Sequence, residues 1–370
     1  MPSVVLSSDG AALAVPDTSR SQIRAIPALT GIRFVAAVLV LLYHYGATWS
    51  ERLHFAPLSQ FMHNGYLGVS VFFVLSGFIL THVHQAERVD RAFLIRFYQA
   101  RFARLYPVYL LALIVALPVR GWPMTGADVV RVLLMVQSWT VPGSRLGWAW
   151  LLQAWTLSIE LFFYLMFPLL LPGIRRLSAA AILGCIAVAS ALIVLGGLSS
   201  AAPGTDMPGV VARLPLPLLR LPEFILGMAL CRWVKLRPGE ARALDSRGLE
   251  ALVLGVLVLT LALTASIQSK AFATLLTGLL IVQLYEGRGV ISRLLASAPM
   301  ALLGGASYAL YLLQQPVRSY SALWLGDQWG RLASPALTLA VALLVFLCWE
   351  QPMRRGLLAL MRPAIVQRNQ

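Results

Sequence analysis

Ten apolar stretches punctuate this sequence, near residues 30–48, 65–84, 104–120, 147–171, 178–198, 213–233, 249–267, 271–287, 300–320 and 334–351. Each runs for about 17 to 25 residues, which as an α-helix crosses the roughly 30 Å hydrocarbon core of a bilayer. Inside lipid every backbone N–H and C=O must find a partner within the protein, so such stretches are expected to be helices. The expected fold class is an all-α integral membrane protein, with about ten transmembrane helices in one bundle and both termini on one side. Composition agrees: 12% of residues are charged and 59% hydrophobic, whereas soluble domains carry about 25% charged residues.

The remaining charges are ordered along the chain. Arg88, Arg91, Arg96, Arg101 and Arg104 form one cluster, Arg175 and Arg176 a second, and Arg232, Lys235, Arg237, Arg242 and Arg247 a third. Arg288 and Arg293 follow, then Arg354 and Arg355. With ten spans every cluster lands on one side, which the positive-inside rule makes the cytoplasm. Both termini are then cytoplasmic, and the expected location is the cytoplasmic (inner) membrane. A formal net charge of +15 would otherwise suggest nucleic acid, but these arginines lie between membrane-length runs rather than on a soluble face, so no nucleic-acid partner is expected. Residues 1–25 read as a flexible cytoplasmic tail without a signal peptide, 26–355 as one membrane domain, and 356–370 as a second cytoplasmic tail. The stretch 126–141 would break the charge alternation as a span, and its Arg131 argues for an interfacial or re-entrant segment on the outer side. Cys185, Cys231 and Cys348 have no metal-ligand spacing and read as packing residues, so no metal is expected.

A few polar residues inside the apolar runs are candidates for chemistry, because an ionisable group in a span is costly unless it lines a cavity or finds a partner. Arg33 and His44 stand on nearly one helical face, about 16 Å apart along the axis. They form either a polar track or two interfacial anchors. Arg96, Arg101 and Arg104 share a broad stripe, with Arg101 and Arg104 adjacent. Paired guanidinium groups suit bidentate recognition of phosphate; a stripe that binds anionic lipid heads is the competing reading. Glu160 is the sole carboxylate between Asp128 and Asp206. It is either half of an arginine bridge that fixes helix packing or a partner that orients or charges His44. Gly68 and Ser76-Gly77 allow a helix or a ligand to approach closely. Glu223 lies three residues after Arg220, where a local ion pair explains it at least as well as catalysis. Trp49, Trp122, Trp139, Trp148 and Trp150 read as an aromatic belt or as stacking surfaces for sugar rings.

Several of these residues sit in longer blocks. Leu29-Thr30-Gly31-Ile32-Arg33-Phe34 through Tyr43-His44, then Gly68-Val69-Ser70-Val71-Phe72-Phe73-Val74-Leu75-Ser76-Gly77-Phe78, resembles the opening of membrane-bound acyltransferase 3 proteins. Four further blocks match in the family's order: Arg101-x-x-Arg104 with Tyr106-Pro107, Trp155-Thr156-Leu157-Ser158-Ile159-Glu160, Arg220-Leu221-Pro222-Glu223-Phe224-Ile225-Leu226-Gly227, and Ser307-Tyr308-Ala309-Leu310-Tyr311-Leu312. The resemblance covers about residues 26 to 355. It implies ten helices with cytoplasmic ends. It also implies transfer of an acyl group, usually acetyl, from acetyl-CoA or another short acyl-CoA in the cytosol to a hydroxyl of a saccharide or lipid-linked saccharide on the outer side. Exopolysaccharide, O-antigen, peptidoglycan and small secondary metabolites such as macrolides are acceptors for proteins that look like this one. Membrane lipids and polysaccharide assembly proteins are the implied partners. The family's arginine and histidine separated by ten residues match Arg33 and His44, and its Arg-x-x-Arg pair matches Arg101 and Arg104. Two departures stand out. Many relatives have a histidine before the proline where this chain reads Leu313-Gln314-Gln315-Pro316, so that role is absent or taken by Gln314, which moves no proton at neutral pH. The family's frequent serine is Thr156 here, which keeps the hydroxyl.

On this resemblance Arg101 and Arg104, with Arg96 and Tyr106 beside them, are expected to hold the 3′-phospho-ADP part of the donor. His44 is the expected general base, since an imidazole pKa near 6.5 suits proton abstraction at neutral pH. Glu160 would orient it or stabilise its cation, and Arg33 would hold a phosphate or polarise the thioester carbonyl. Tyr43, Trp155, Ser158, Ser76, Glu223, Tyr308 and Tyr311 are expected to touch substrate or to support the groups that do. A covalent acyl carrier at His44, or less readily at Ser158, stays open. Two rival classes remain at this point: an exporter of saccharide or lipid that needs no coenzyme A, and a structural partner in an envelope assembly that tolerates loss of Arg101 and Arg104.

Overall fold

The apolar runs become helices because lipid offers their backbone groups no other partner, and Pro107, Pro168, Pro172, Pro222, Pro316 and Pro335 lie inside helices without ending them. The computed structural model describes residues 26–46, 55–119, 123–139, 150–197, 214–244, 246–264 and 267–361. The expected tail 1–25, most of the tail 356–370, and Trp49, Trp122 and Trp148 lie outside the described residues. Within them the chain is helical, and no strand is formed.

The long helices are α1 (Pro27–Tyr45), α3 (Gly68–His84), preceded by the short α2 (Ala56–His63) and a 3-10 turn, and α4 (Arg91–Ala116). After the short α5 (Gly126–Leu133) come α6 (Trp155–Arg176), α7 (Ala179–Gly197) and α8 (Leu216–Leu236). The short α9 (Pro238–Ala243) leads to α10 (Arg247–Leu263) and α11 (Ile267–Glu286). The short α12 (Val290–Leu295), the run α13 (Ala298–Val345), a π-helical turn Phe346–Glu350 and α14 (Gln351–Leu360) complete the fold. Among the described residues five helical runs are long and apolar enough to cross a membrane: Pro27–Tyr45, Ala56–His84, Arg91–Val119, Leu152–Arg176 and Ala298–Leu360. Ala179–Leu195 and Ala271–Glu286 are shorter apolar helices. Helix α8 carries Arg220, Glu223, Arg232 and Lys235, which lowers its apolarity.

The α13 run is folded back on itself. Gly326 adopts φ 74° and ψ 163°, a left-handed conformation open to glycine, and breaks the helix there. Beyond it the chain returns: Gly330 packs on Ser321, and the Phe346 ring lies against Gly305. The two arms correspond to the apolar stretches 300–320 and 334–351.

Helix α1 packs on α3 and on the first arm of α13. It runs parallel to the first arm of α13, with Thr30 against Gly304 and the His44 carbonyl accepting from the Arg318 guanidinium at 2.7 Å. Gly68 of α3 packs on the Ala36 carbonyl of α1, while Gly77 of α3 and Gly227 of α8 each meet the other helix's backbone. A side chain at either of the last two positions would push the helices apart, as expected for small-residue seams. Helix α5 has 8 residues, about 12 Å of length, and is too short to cross a bilayer. A Thr125–Asp128 capping box starts it, and the Tyr109 hydroxyl donates to Val132 O at 2.6 Å, pinning it to the bundle. Its length excludes a full crossing by this helix alone.

Candidate functional site

Six helices converge on a cavity of about 260 Å³. Its wall includes Arg33 of α1; Val69, Phe72, Phe73, Ser76, Ile79 and Leu80 of α3; Arg101, Arg104 and Leu105 of α4; Thr156, Leu157, Glu160 and Tyr164 of α6; Ser307, Tyr308 and Tyr311 of α13; and Arg354 of α14. Contacts across the wall give each residue a depth, since Arg101 lies over Tyr164 and within range of Arg354, whereas Phe72 meets Tyr311. At one end stand Leu80, Ile79, Arg101, Arg104, Tyr164 and Arg354. At the other stand Val69, Phe72, Thr156, Leu157 and Tyr311. From Leu80 to Val69 is about 16 Å along α3.

The two ends differ chemically. Four guanidinium groups, from Arg33, Arg101, Arg104 and Arg354, share the wall with one carboxylate, Glu160. Arg33 is within electrostatic range of Arg104, Glu160 and Glu350, and Arg354 within range of Arg101 and Arg104. Glu350, 3% exposed, is delivered by the π-helical turn and backs this cluster; such turns recur at functional sites. Arg101 lies over the rings of Phe97 at 5.7 Å and Tyr164 at 5.6 Å, while its buried Nε has no hydrogen-bond partner. A half-buried guanidinium with an unused buried donor suits an incoming anion. The Tyr164 hydroxyl donates to Glu160, and Glu160 makes no ion pair among the described residues, so the arginine bridge, one of the two alternatives for this residue, is not formed. The opposite end is apolar, with the Phe72 and Tyr311 rings edge to face at 6.2 Å.

The structure gathers Arg33, Ser76, Arg101, Arg104, Glu160, Tyr308 and Tyr311 into this one site and leaves the other candidates elsewhere. His44 is outside the cavity wall. Its ring meets the Tyr43 ring edge-on at 5.0 Å, and Tyr43 in turn meets His63 and Tyr66. The expected Glu160–His44 pairing is therefore not formed. The reason is that α6 begins inside the bundle: Leu151, Gln153 and Ala154 before it are buried, and the Leu152 amide is held by the Gln315 side chain at 2.8 Å. Glu160 is thereby carried down to the level of Arg33.

Arg96 also departs from the expected stripe, being exposed and paired with Glu87 at 3.4 Å. Tyr106 stacks on Phe102 at 4.8 Å rather than entering the cavity. Ser158 is buried and accepts from the Ser138 amide at 3.2 Å, and the Trp155 carbonyl accepts from the Ser138 hydroxyl at 2.7 Å. Both thus tie α6 to the 3-10 turn Gln137–Trp139. Glu223 forms the local ion pair with Arg220 at 2.5 Å and accepts from Ser70 at 3.4 Å. Gln314 is fully buried; its carbonyl accepts from the Tyr45 hydroxyl, and its Oε1 has no donor. Among the described tryptophans, Trp150 donates to Leu113 O at 2.8 Å and Trp139 packs on Phe162 at 5.0 Å. No cluster of metal-ligand side chains occurs among the described residues. Sequence reasoning missed Arg354, Tyr164, Ser307 and Glu350. For Arg354 a signal existed, because it lies one helical turn after Glu350.

The family model described as "Acyltransferase domain" matches residues 26–350. An acyltransferase, MdmB, of Streptomyces mycarofaciens is 29% identical over 85% of this chain and 86% of its own length. A peptidoglycan O-acetyltransferase, OatA, of Listeria monocytogenes is 24% identical over 92% of this chain, which spans 57% of that protein. The O-acetyltransferase OatA of Staphylococcus aureus is 27% identical over 40% of this chain and 25% of its own length. No solved structure matches. A helical bundle with several membrane-length runs, a cationic cavity inside it, and a family match over nearly the whole described chain place this protein in the membrane-bound acyltransferase 3 family, as an acyltransferase.

Proposed function

We propose that the protein is an O-acetyltransferase that moves acetyl, or another short acyl group, from cytosolic acyl-CoA to a hydroxyl of a saccharide on the outer side of the cytoplasmic membrane. The acceptor is an exopolysaccharide, O-antigen or peptidoglycan unit, or its lipid-linked precursor, and polysaccharide assembly proteins are the natural partners. Ten crossings with cytoplasmic ends, the membrane domain spanning 26–355, put the arginine end of the cavity toward the cytosol. The observation that carries this reading is the cavity's polarity: four arginines at and near one end, an apolar pocket at the other.

Arg101, Arg104 and Arg354 would bind the donor's phosphates, each as a charge-assisted contact. The donor supplies an acyl group activated as a thioester. Arg33, deeper along the same wall, is placed to steady the thioester oxygen as charge develops. Glu160, with the Tyr164 hydroxyl bonded to it, balances this arginine cluster. His44 stands beyond Phe72 and Tyr311 on the helix that bears Arg33. There it would take the proton from an acceptor hydroxyl, with Tyr43 against its ring. The layer between them, Tyr311 and the buried Gln314, must part for the acyl group to reach His44. Mass spectrometry of envelope glycans from cells with wild-type protein, with His44→Ala and without the gene tests the reading. Acetyl should be lost from one glycan in both altered strains; unchanged glycans overturn it.

A further inference from the structure

At the apolar end of the cavity two aromatic rings meet. Phe72 of α3 and Tyr311 of α13 meet edge to face across it at 6.2 Å. The Tyr311 hydroxyl is tied to the Gln153 carbonyl at 3.4 Å, so its ring is held from behind. Phe72, only partly buried, lines the cavity together with Val69 and Leu157. Behind the pair the bundle is filled: Gln314 is 0% exposed and Gln153 2%. A donor anchored by its phosphates at the arginine end therefore directs its acyl group to this wall.

We infer that Phe72 and Tyr311 set the size of the acyl group, admitting acetyl and rejecting chains longer by a few methylenes. The inference rests on the donor reading of the cavity and adds which donors it takes. Close-packed interiors do not yield cheaply to added methylenes, and one methylene in an apolar pocket is worth about tenfold or more in discrimination. Phe72 is the better determinant to alter. Its ring carries no hydrogen bond, and removing it opens space, whereas changing Tyr311 also removes a hydrogen bond to the Gln153 carbonyl.

The test uses full-length protein in detergent and displacement of labelled acetyl-CoA by acetyl-, butyryl- and hexanoyl-CoA. Wild type should bind hexanoyl-CoA at least about tenfold more weakly than acetyl-CoA. Phe72→Ala should bring the two within about threefold while still binding acetyl-CoA, and Phe72→Leu should fall between them. Leu169→Ala, on the exposed face of α6, should leave the preference as in wild type. Acetyl-CoA binding with no chain-length preference in wild type, or a preference unchanged in both Phe72 variants, overturns the inference alone. No binding of any acyl-CoA by wild type overturns the donor reading and the inference with it. Should Phe72→Ala fail to fold, Phe72→Leu carries the comparison.

Discussion

At the scale of single residues, what matters is which charge faces the cavity and which does not. Arg101 and Arg96 are five residues apart on one helix, yet Arg101 lies under Tyr164 inside the bundle while Arg96 sits outside with Glu87. Arg101→Ala or Arg354→Ala should raise the Kd for acetyl-CoA by about tenfold to a hundredfold, the worth of a charge-assisted hydrogen bond of about 1.5–3 kcal/mol. Arg96→Ala should leave it within about twofold, as for an exposed pair; isothermal titration on detergent-solubilised protein reads all three. His44→Ala should cut acyl transfer by about 10²–10⁴-fold, as for loss of positioned acid–base catalysis, with donor binding retained. A turnover assay beside the same titration separates the two effects. Arg33 and Glu160 were legible in the sequence because charges inside apolar runs are rare and costly. Arg354 was not, because a basic cluster after the last span was already accounted for by topology. The Glu160–His44 pairing failed for a related reason. Sequence fixes a residue's depth relative to its own helix ends, and the start of α6 is drawn into the bundle by the contacts of Leu152 and Gln153.

Among the helices, close contact rather than polarity fixes the cavity's shape. Helix α3 supplies one side of the cavity with Phe72, Ser76 and Ile79, and its other side is pressed against α8 at Gly77 and Gly227. The Ser76-Gly77 pair thus divides two roles that its sequence left joined: Ser76 faces the cavity and Gly77 the neighbouring helix. Gly227→Val should destabilise the bundle by about 1–3 kcal/mol or more, the cost of overpacking, and show as a lower Tm in detergent without any change at a cavity residue. The apolar stretches anticipated the helices well, because period and length are local properties. Where helices meet was less legible, since Gly68, Gly77, Gly227 and Gly304 differ from other glycines only in what lies opposite them. The fold-back at Gly326 was anticipated as a break between two stretches, although α13, the π-helical turn and α14 continue so directly that Ala298–Leu360 forms one helical run.

For the whole molecule, one charged cavity and one histidine lie at different depths of the same bundle. The proposed ten crossings predict that single cysteines in a cysteine-free background at Arg355 and Gln328 label from opposite sides. An impermeant maleimide on intact cells should reach Gln328→Cys and miss Arg355→Cys until the membrane is opened; equal labelling of both contradicts the topology. The central claim is that the arginine-lined cavity binds the acyl donor. The most direct measurement is the melting temperature of purified protein with and without saturating acetyl-CoA, for wild type and for Arg101→Ala/Arg104→Ala. A ligand at about 100 times its Kd adds about 2.7 kcal/mol to the folded state. Wild type should therefore melt several degrees higher with acetyl-CoA, and the double variant should show no shift. An unshifted wild type, or an equal shift in the double variant, would contradict the account.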